Sequence, residues 1–138
     1  MLISEAKLEE LKAAAKQVSQ HAYCPYSGFA VGAAVLTTSG KIFAGCNVEN
    51  ASYGLTICAE RNAVFQAIAS SGECEIIAVI IYTSTPTPSL PCGACRQVVK
   101  EFGRDAQIFS FCDGEEVLEM AIKELLPNSF SGEDINNV

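Results

Sequence analysis

Glu75-Ile76-Ile77-Ala78-Val79-Ile80-Ile81-Tyr82-Thr83 is a continuous apolar run that reads as a strand. Before it, Cys58 to Ser70 has a helical composition of Ala, Glu, Arg and Gln. After it, Cys92 to Phe102 reads as a second helix and Gln107 to Cys112 as another strand. Upstream, Phe29 to Thr38 and Lys41 to Val48 read as two strands around Thr38-Ser39-Gly40, a hairpin whose glycine supplies the positive φ of the turn. Strand, helix, strand, helix, strand predicts parallel pairing of the later strands and an α/β fold. Further out, Leu8, Leu11, Ala15, Val18 and Ala22 recur at spacings of three and four behind Ser4, which predicts a capped amphipathic helix ending near Pro25. Glu49 to Ile57 reads as a long loop, Val117 to Leu126 fits either a strand or a helix, and the last eight residues read as a tail.

The chain has 138 residues, which suits one domain, residues 1–138. No repeat, low-complexity tract or linker divides it, and the proline-rich stretch Thr85 to Pro91 is only long enough for a loop. At 49% hydrophobic and 18% charged it can bury a real core. A net charge of -7 argues against gripping a phosphate backbone, because that affinity comes from Lys and Arg, so no nucleic-acid partner is expected. Met1 to Glu10 lacks a basic region followed by an apolar run, and no apolar stretch reaches the roughly 18 residues of a membrane span. With seven cysteines, an odd number, the expectation is a reducing, cytoplasmic setting in which thiolates are available and no membrane is engaged.

Two cysteine motifs open the two later helices: Cys58-Ala59-Glu60 and Pro91-Cys92-Gly93-Ala94-Cys95. With this composition a P-C-x-x-C pattern arises by chance roughly once in a hundred such chains and a C-x-E in roughly half, so the second motif carries the weight. Three thiolates from two helix starts can hold a tetrahedral zinc with one position open, as catalytic sites do. That cluster is net negative, and positive charge has to offset it if bound water is to ionise near neutral pH. The helix N-termini and Arg61 supply it. Glu60 beside such water is suited to taking its proton and delivering protons to a leaving group.

From about Ala22 to Phe130 the chain resembles the zinc-dependent cytidine deaminases of the small, homotetrameric type. The resemblance rests on five ordered blocks: Tyr23-Cys24-Pro25-Tyr26-Ser27-Gly28-Phe29-Ala30-Val31-Gly32-Ala33-Ala34, Asn47-Val48-Glu49-Asn50-Ala51-Ser52-Tyr53, Cys58-Ala59-Glu60-Arg61, Pro91-Cys92-Gly93-Ala94-Cys95-Arg96-Gln97, and Glu124-Leu125-Leu126-Pro127-Asn128-Ser129-Phe130. It implies a three-layer α/β/α sandwich on a mixed sheet of about five strands. It also implies hydrolytic deamination of cytidine and 2′-deoxycytidine by zinc-bound hydroxide, a reaction of pyrimidine salvage. By the same resemblance Cys58, Cys92 and Cys95 ligate one zinc per subunit, Glu60 shuttles protons and Arg61 hydrogen-bonds the sulfurs. The only histidine, His21, precedes every block, so the chain is similar to the three-cysteine branch. Asn47 and Glu49 would hold the sugar hydroxyls from one face of an extended segment. Phe29 would pack on the pyrimidine ring, and Ala59 is a further substrate-binding position. Tyr53 and Phe130 would reach a neighbouring subunit's site in a homotetramer. The chain departs from the family's usual blocks at Leu90, where Ser often precedes Pro-Cys, and at Asn62, where Thr is frequent.

Taken singly, the residues admit plainer readings. Cys92 and Cys95 fit a structural zinc knuckle or a redox dithiol. Glu60 and Arg61 fit an ordinary charged first turn, and Phe29, Tyr53 and Phe130 fit core positions. Asn47 and Glu49 fit a turn, and Cys24, Cys46, Cys74 and Cys112 read as small apolar residues. Two whole-chain alternatives stand beside the deaminase: a blasticidin-type nucleoside antibiotic deaminase, which lacks the Asn-x-Glu-Asn block, and a zinc-stabilised interaction protein, which would need a fourth protein ligand.

Overall fold

The N-terminal spacing becomes helix α1 (Glu5–Ser19) in the computed structural model, which describes residues 3–136. Ser4 caps it, accepting the Lys7 N–H at 3.1 Å and so satisfying one of the donors a helix start leaves free. Leu11 and Ala15 are fully buried, but the helix stops before Ala22. The amides of Gln20, His21 and Ala22 each bond to the carbonyl three residues back, which tightens the last turn.

Strands β1 (Val31–Thr37) and β2 (Ile42–Cys46) form the expected antiparallel hairpin, with Gly40 at φ +88° in its turn. A single 3₁₀ turn at Tyr53–Leu55 interrupts the long loop, and α2 (Ala59–Ser71) follows. The apolar run is β3 (Ile76–Thr83), then come α3 (Gly93–Phe102) and β4 (Gln107–Phe111). Val117 to Leu126 is both things it resembles: β5 (Leu118–Ala121) runs straight into a one-turn helix, α4 (Ile122–Leu125). The residues read as a tail are corrected in part. Gly132–Asn136 form a short helix, α5, which Ser131 starts by donating its N–H to Asp134 Oδ2 at 2.8 Å. Asn137 and Val138, also in that stretch, lie outside the described residues.

The sheet is mixed, in the order β2-β1-β3-β4-β5. Parallel pairing joins only β3 and β4, whereas β1 is antiparallel to both its neighbours and β5 is antiparallel to β4. It follows that β2 and β3 run the same way with β1 between them. The chain therefore enters both α2 and α3 from the carboxyl ends of similarly directed strands, the end of an α/β sheet where ligand crevices form.

Alternation places Ala33, Val35, Val79, Ile81 and Ile108 toward α2, α3 and α4, and Ala34, Leu36, Ile80, Phe109 and Phe111 toward α1. The two faces are the two inner boundaries of an α/β/α sandwich. A bulge at the Leu36–Thr37 end of β1 shifts the register, so Ile76 joins the α2 face although Ala78 joins the other. Two glycines set how close the helices lie. A Cβ on Gly32 would stand 1.8 Å from the Ala15 carbonyl oxygen of α1, and one on Gly45 would stand 2.4 Å from the Ala63 nitrogen of α2.

Candidate functional site

Cys58 and Cys92 are the N-cap residues of α2 and α3, both in extended backbone conformation, and neither side chain caps its own helix. The sulfurs are turned instead toward each other, 3.7 Å apart. Cys95, buried in the first turn of α3, completes a triad whose ligand atoms all lie within 4.8 Å of one another. A tetrahedral zinc with bonds of about 2.3 Å holds its sulfurs about 3.8 Å apart, so this donor set fits zinc in chemistry and in spacing. Among the described residues no fourth His, Cys, Asp or Glu joins the group, which removes the argument for a closed structural site.

The electrostatics agree with a site prepared for a cation. Arg61 donates from Nη2 to Cys58 Sγ at 3.5 Å, while its Nε is buried without a partner. Cys58 is pulled down to about 5, chiefly by the hydrogen bond from Cys95, opposed by burial and aided by Arg61 and Cys92. Cys95 is pushed the other way because its thiol is the donor in that same bond and is buried. The thiolate beside Arg61 raises the guanidinium's own pKa further. Glu60 is 5% exposed, and burial pushes its carboxyl up to about 7, against the pull of its own backbone N–H and with the Cys58 charge adding to the rise.

Cys58, Glu60 and Cys92 open into a cleft of about 250 Å³ that Ala59, Phe29, Asn47 and Glu49 also line. The alternation that predicts Asn47 and Glu49 on one face is observed. Each is also held by the chain. Asn47 donates from Nδ2 to the Phe29 carbonyl at 2.7 Å and accepts the Val31 N–H on Oδ1 at 2.9 Å. Glu49 accepts the Tyr26 and Ser27 N–H groups on Oε1 at 2.9 and 3.2 Å and the Ser27 hydroxyl on Oε2. The Ser27 hydroxyl is the first cause of the lowered Glu49 pKa.

Ser27, Thr56, Thr83 and Ser89 also line the cleft and were not singled out from the sequence. For Ser27 the available signal was its place inside the Pro-Tyr-Ser-Gly-Phe block. Leu90, one of the two departures from the family's blocks, lines the cleft as well. Asn62 does not, but donates from Nδ2 to the Cys46 carbonyl at 2.8 Å and ties α2 to β2. Arg96 fixes the start of α3 by donating to the Pro91 carbonyl at 2.7 Å and the Leu125 carbonyl at 3.0 Å.

Tyr53 lies outside the cleft, 73% exposed, edge-to-face with Tyr26 at 5.8 Å across an adjoining hollow that shares Ser27, Glu49 and Thr56 with it. Phe130 is 61% exposed and lines a different hollow beyond α3, so its own chain does not bring it to the thiols. His21 is exposed at the end of α1.

Residues 5–111 match the family model for the cytidine and deoxycytidylate deaminase zinc-binding region. The chain is 44% identical over 122 residues to the cytidine deaminase of Halalkalibacterium halodurans, covering 88% of this chain and 92% of that one. It is similar to the crystal structure of cytidine deaminase from Burkholderia pseudomallei, with a TM-score of 0.83 at 43% identity over 93% of this chain and 100% of that one. The crystal structure of the Mycobacterium tuberculosis cytidine deaminase gives a TM-score of 0.76 at 38% identity, over 89% and 96% of the two chains.

Proposed function

The chain belongs to the zinc-binding cytidine and deoxycytidylate deaminase family, and from that premise we propose that it hydrolyses cytidine and 2′-deoxycytidine to uridine and 2′-deoxyuridine with release of ammonia. The observation that carries the reading is a triad of thiols at two helix starts, beside a buried carboxylate that opens into a nucleoside-sized cleft.

Zinc held by Cys58, Cys92 and Cys95 would supply the Lewis acidity that makes water a nucleophile near neutral pH. Arg61, bonded to Cys58 Sγ, keeps three thiolates from cancelling that acidity. Glu60 takes the proton released as water attacks C4 and gives a proton to N3. It then takes the remaining proton from the new C4 hydroxyl and passes it to the exocyclic amine, so that the C4 carbonyl forms as ammonia rather than amide leaves. Phe29 stacks on the ring, Ala59 borders it, and Asn47 and Glu49 take sugar hydroxyls.

The assignment extends to a single cytidine deaminase-like domain over residues 1–138, assembled as a homotetramer in which Tyr53 and Phe130 complete a neighbour's pocket. Their exposure in the single chain supports that reading. Free nucleosides as substrates place the reaction in pyrimidine salvage in the cytoplasm. Seven unpaired cysteines and the absence, among the described residues, of any helix long and apolar enough to cross a membrane are in keeping with it.

The test is direct. Zinc-loaded protein mixed with cytidine should release one ammonia per cytidine consumed, lose this activity on chelation and regain it with added zinc. Cytidine left intact by the zinc-loaded chain would refute the reading.

A further inference from the structure

The Glu49 carboxylate cannot swing freely toward a sugar. Oε1 already accepts two backbone N–H groups, those of Tyr26 and Ser27, and Oε2 accepts the Ser27 hydroxyl. Of about four acceptor positions on a carboxylate, three are taken, and the remaining one is on Oε2. A serine hydroxyl has one proton, and Ser27 gives it to Glu49. Its oxygen then accepts the Phe29 N–H at 3.0 Å. On the other side of the same residue the Phe29 carbonyl accepts Asn47 Nδ2 at 2.7 Å. The backbone of Phe29 is therefore gripped at its N–H by the group that orients Glu49, and at its C=O by Asn47.

Resting on the deaminase reading above, we infer that Ser27 is a positioning residue: its hydroxyl fixes Glu49 Oε2, the oxygen the backbone N–H groups leave open, with one acceptor position for a sugar hydroxyl, and, through the Phe29 N–H, holds the base platform in register with it. Ser27 touches neither the thiols nor Glu60 in any hydrogen bond, and it is exposed in a loop rather than built into the core. Its contribution is to nucleoside binding, and the chemical step does not depend on it. Base and sugar are then read by one connected unit, so loosening the hydroxyl weakens both contacts together.

Ser27→Ala and Ser27→Thr decide the matter, each with KM and kcat for cytidine, the Kd for uridine by calorimetry, zinc content and Tm. A hydrogen bond to a charged group contributes enough that its loss should raise both KM and Kd about tenfold in Ser27→Ala. The same variant should keep kcat within about threefold and leave zinc content and Tm unchanged. Ser27→Thr retains the hydroxyl and should recover most of the lost affinity. An unchanged KM and Kd in Ser27→Ala would overturn the role. So would a loss confined to kcat, or a Ser27→Thr chain no better than Ser27→Ala. The two readings fail in different places: the deaminase assignment fails on the wild-type chain, and the positioning role fails on the variant measured against an active wild type.

Discussion

Glu60 occupies the second position of α2, two residues after the sulfur of Cys58, and is buried where it lines the cleft. Glu60→Gln keeps size and helix start but removes the carboxylate placed to exchange a proton there. The variant should hold about one zinc per chain, since the thiols are untouched, while kcat falls by about 10²- to 10⁴-fold. Wild-type turnover in a zinc-loaded Glu60→Gln chain would remove Glu60 from the chemistry. At this scale much of the site was legible, because Cys58-Ala59-Glu60-Arg61 and Cys92 to Cys95 act through spacings of one to three residues, which a sequence displays directly. Ser27 was not legible in the same way. Its partner Glu49 lies 22 residues on, and a serine before glycine reads equally well as a turn former. Asn47 was read as a sugar ligand without the second duty the fold gives it, holding the start of β1, because a side chain replacing a ladder bond leaves no trace in periodicity.

The placement of α2 over β2 decides whether Cys58 meets the sulfurs of α3, and Gly45 controls that distance. A methyl there would meet only backbone, at 2.4 Å from Ala63 N, 2.7 Å from Asn62 C and 2.9 Å from Ala63 Cα, so nothing flexible can give way. Gly45→Ala should push α2 outward, cost about 1–3 kcal/mol and lower Tm by roughly 3–12 °C. It should also weaken zinc binding, because Cys58, Glu60 and Arg61 travel with the helix. Gly132→Ala, with open space around its Cβ, should change neither. A Gly45→Ala chain with unaltered Tm and zinc affinity would show that the interface yields without moving the site. The elements themselves were legible where patterns were long: the hairpin, α2, β3, α3 and β4 fall within a few residues of their sequence boundaries, whereas α1 stops at Ser19, well short of Pro25. The hairpin and the parallel pairing of β3 with β4 were legible too, but the second partner of β1 was not, since β1 pairs with β3 across a gap of 38 residues, from Thr37 to Ile76, that no local signal spans. Val117 to Leu126 was ambiguous for a physical reason, being four residues of strand followed at once by a single helical turn. Neither piece is long enough to establish a period.

Across the whole molecule, the large apolar side chains left most exposed include Tyr53, Leu55 and Phe130, at 73%, 64% and 61%. Phe130 sits beyond α3, yet it belongs to a sequence block as recognisable as the metal-binding ones. A solitary chain gives such a residue no work, whereas the proposed homotetramer carries it to a neighbour's cleft, so each active site would draw on two chains. Mixing tests this without a structure of the assembly. Glu60→Gln chains lack the proton carrier but still donate Phe130, and Phe130→Ala chains keep the zinc chemistry but donate nothing. Each homomer should be strongly impaired. Co-expressed at equal levels with different tags, a site is whole when its own chain carries Glu60 and its donor carries Phe130, which random assembly gives in about a quarter of sites. Activity of tag-verified hybrids should therefore approach about a quarter of wild type, far above either parent. Hybrids that stay as inactive as their parents would mean that Phe130 serves its own chain, and a Phe130→Ala homomer with full activity would mean that it serves no active site.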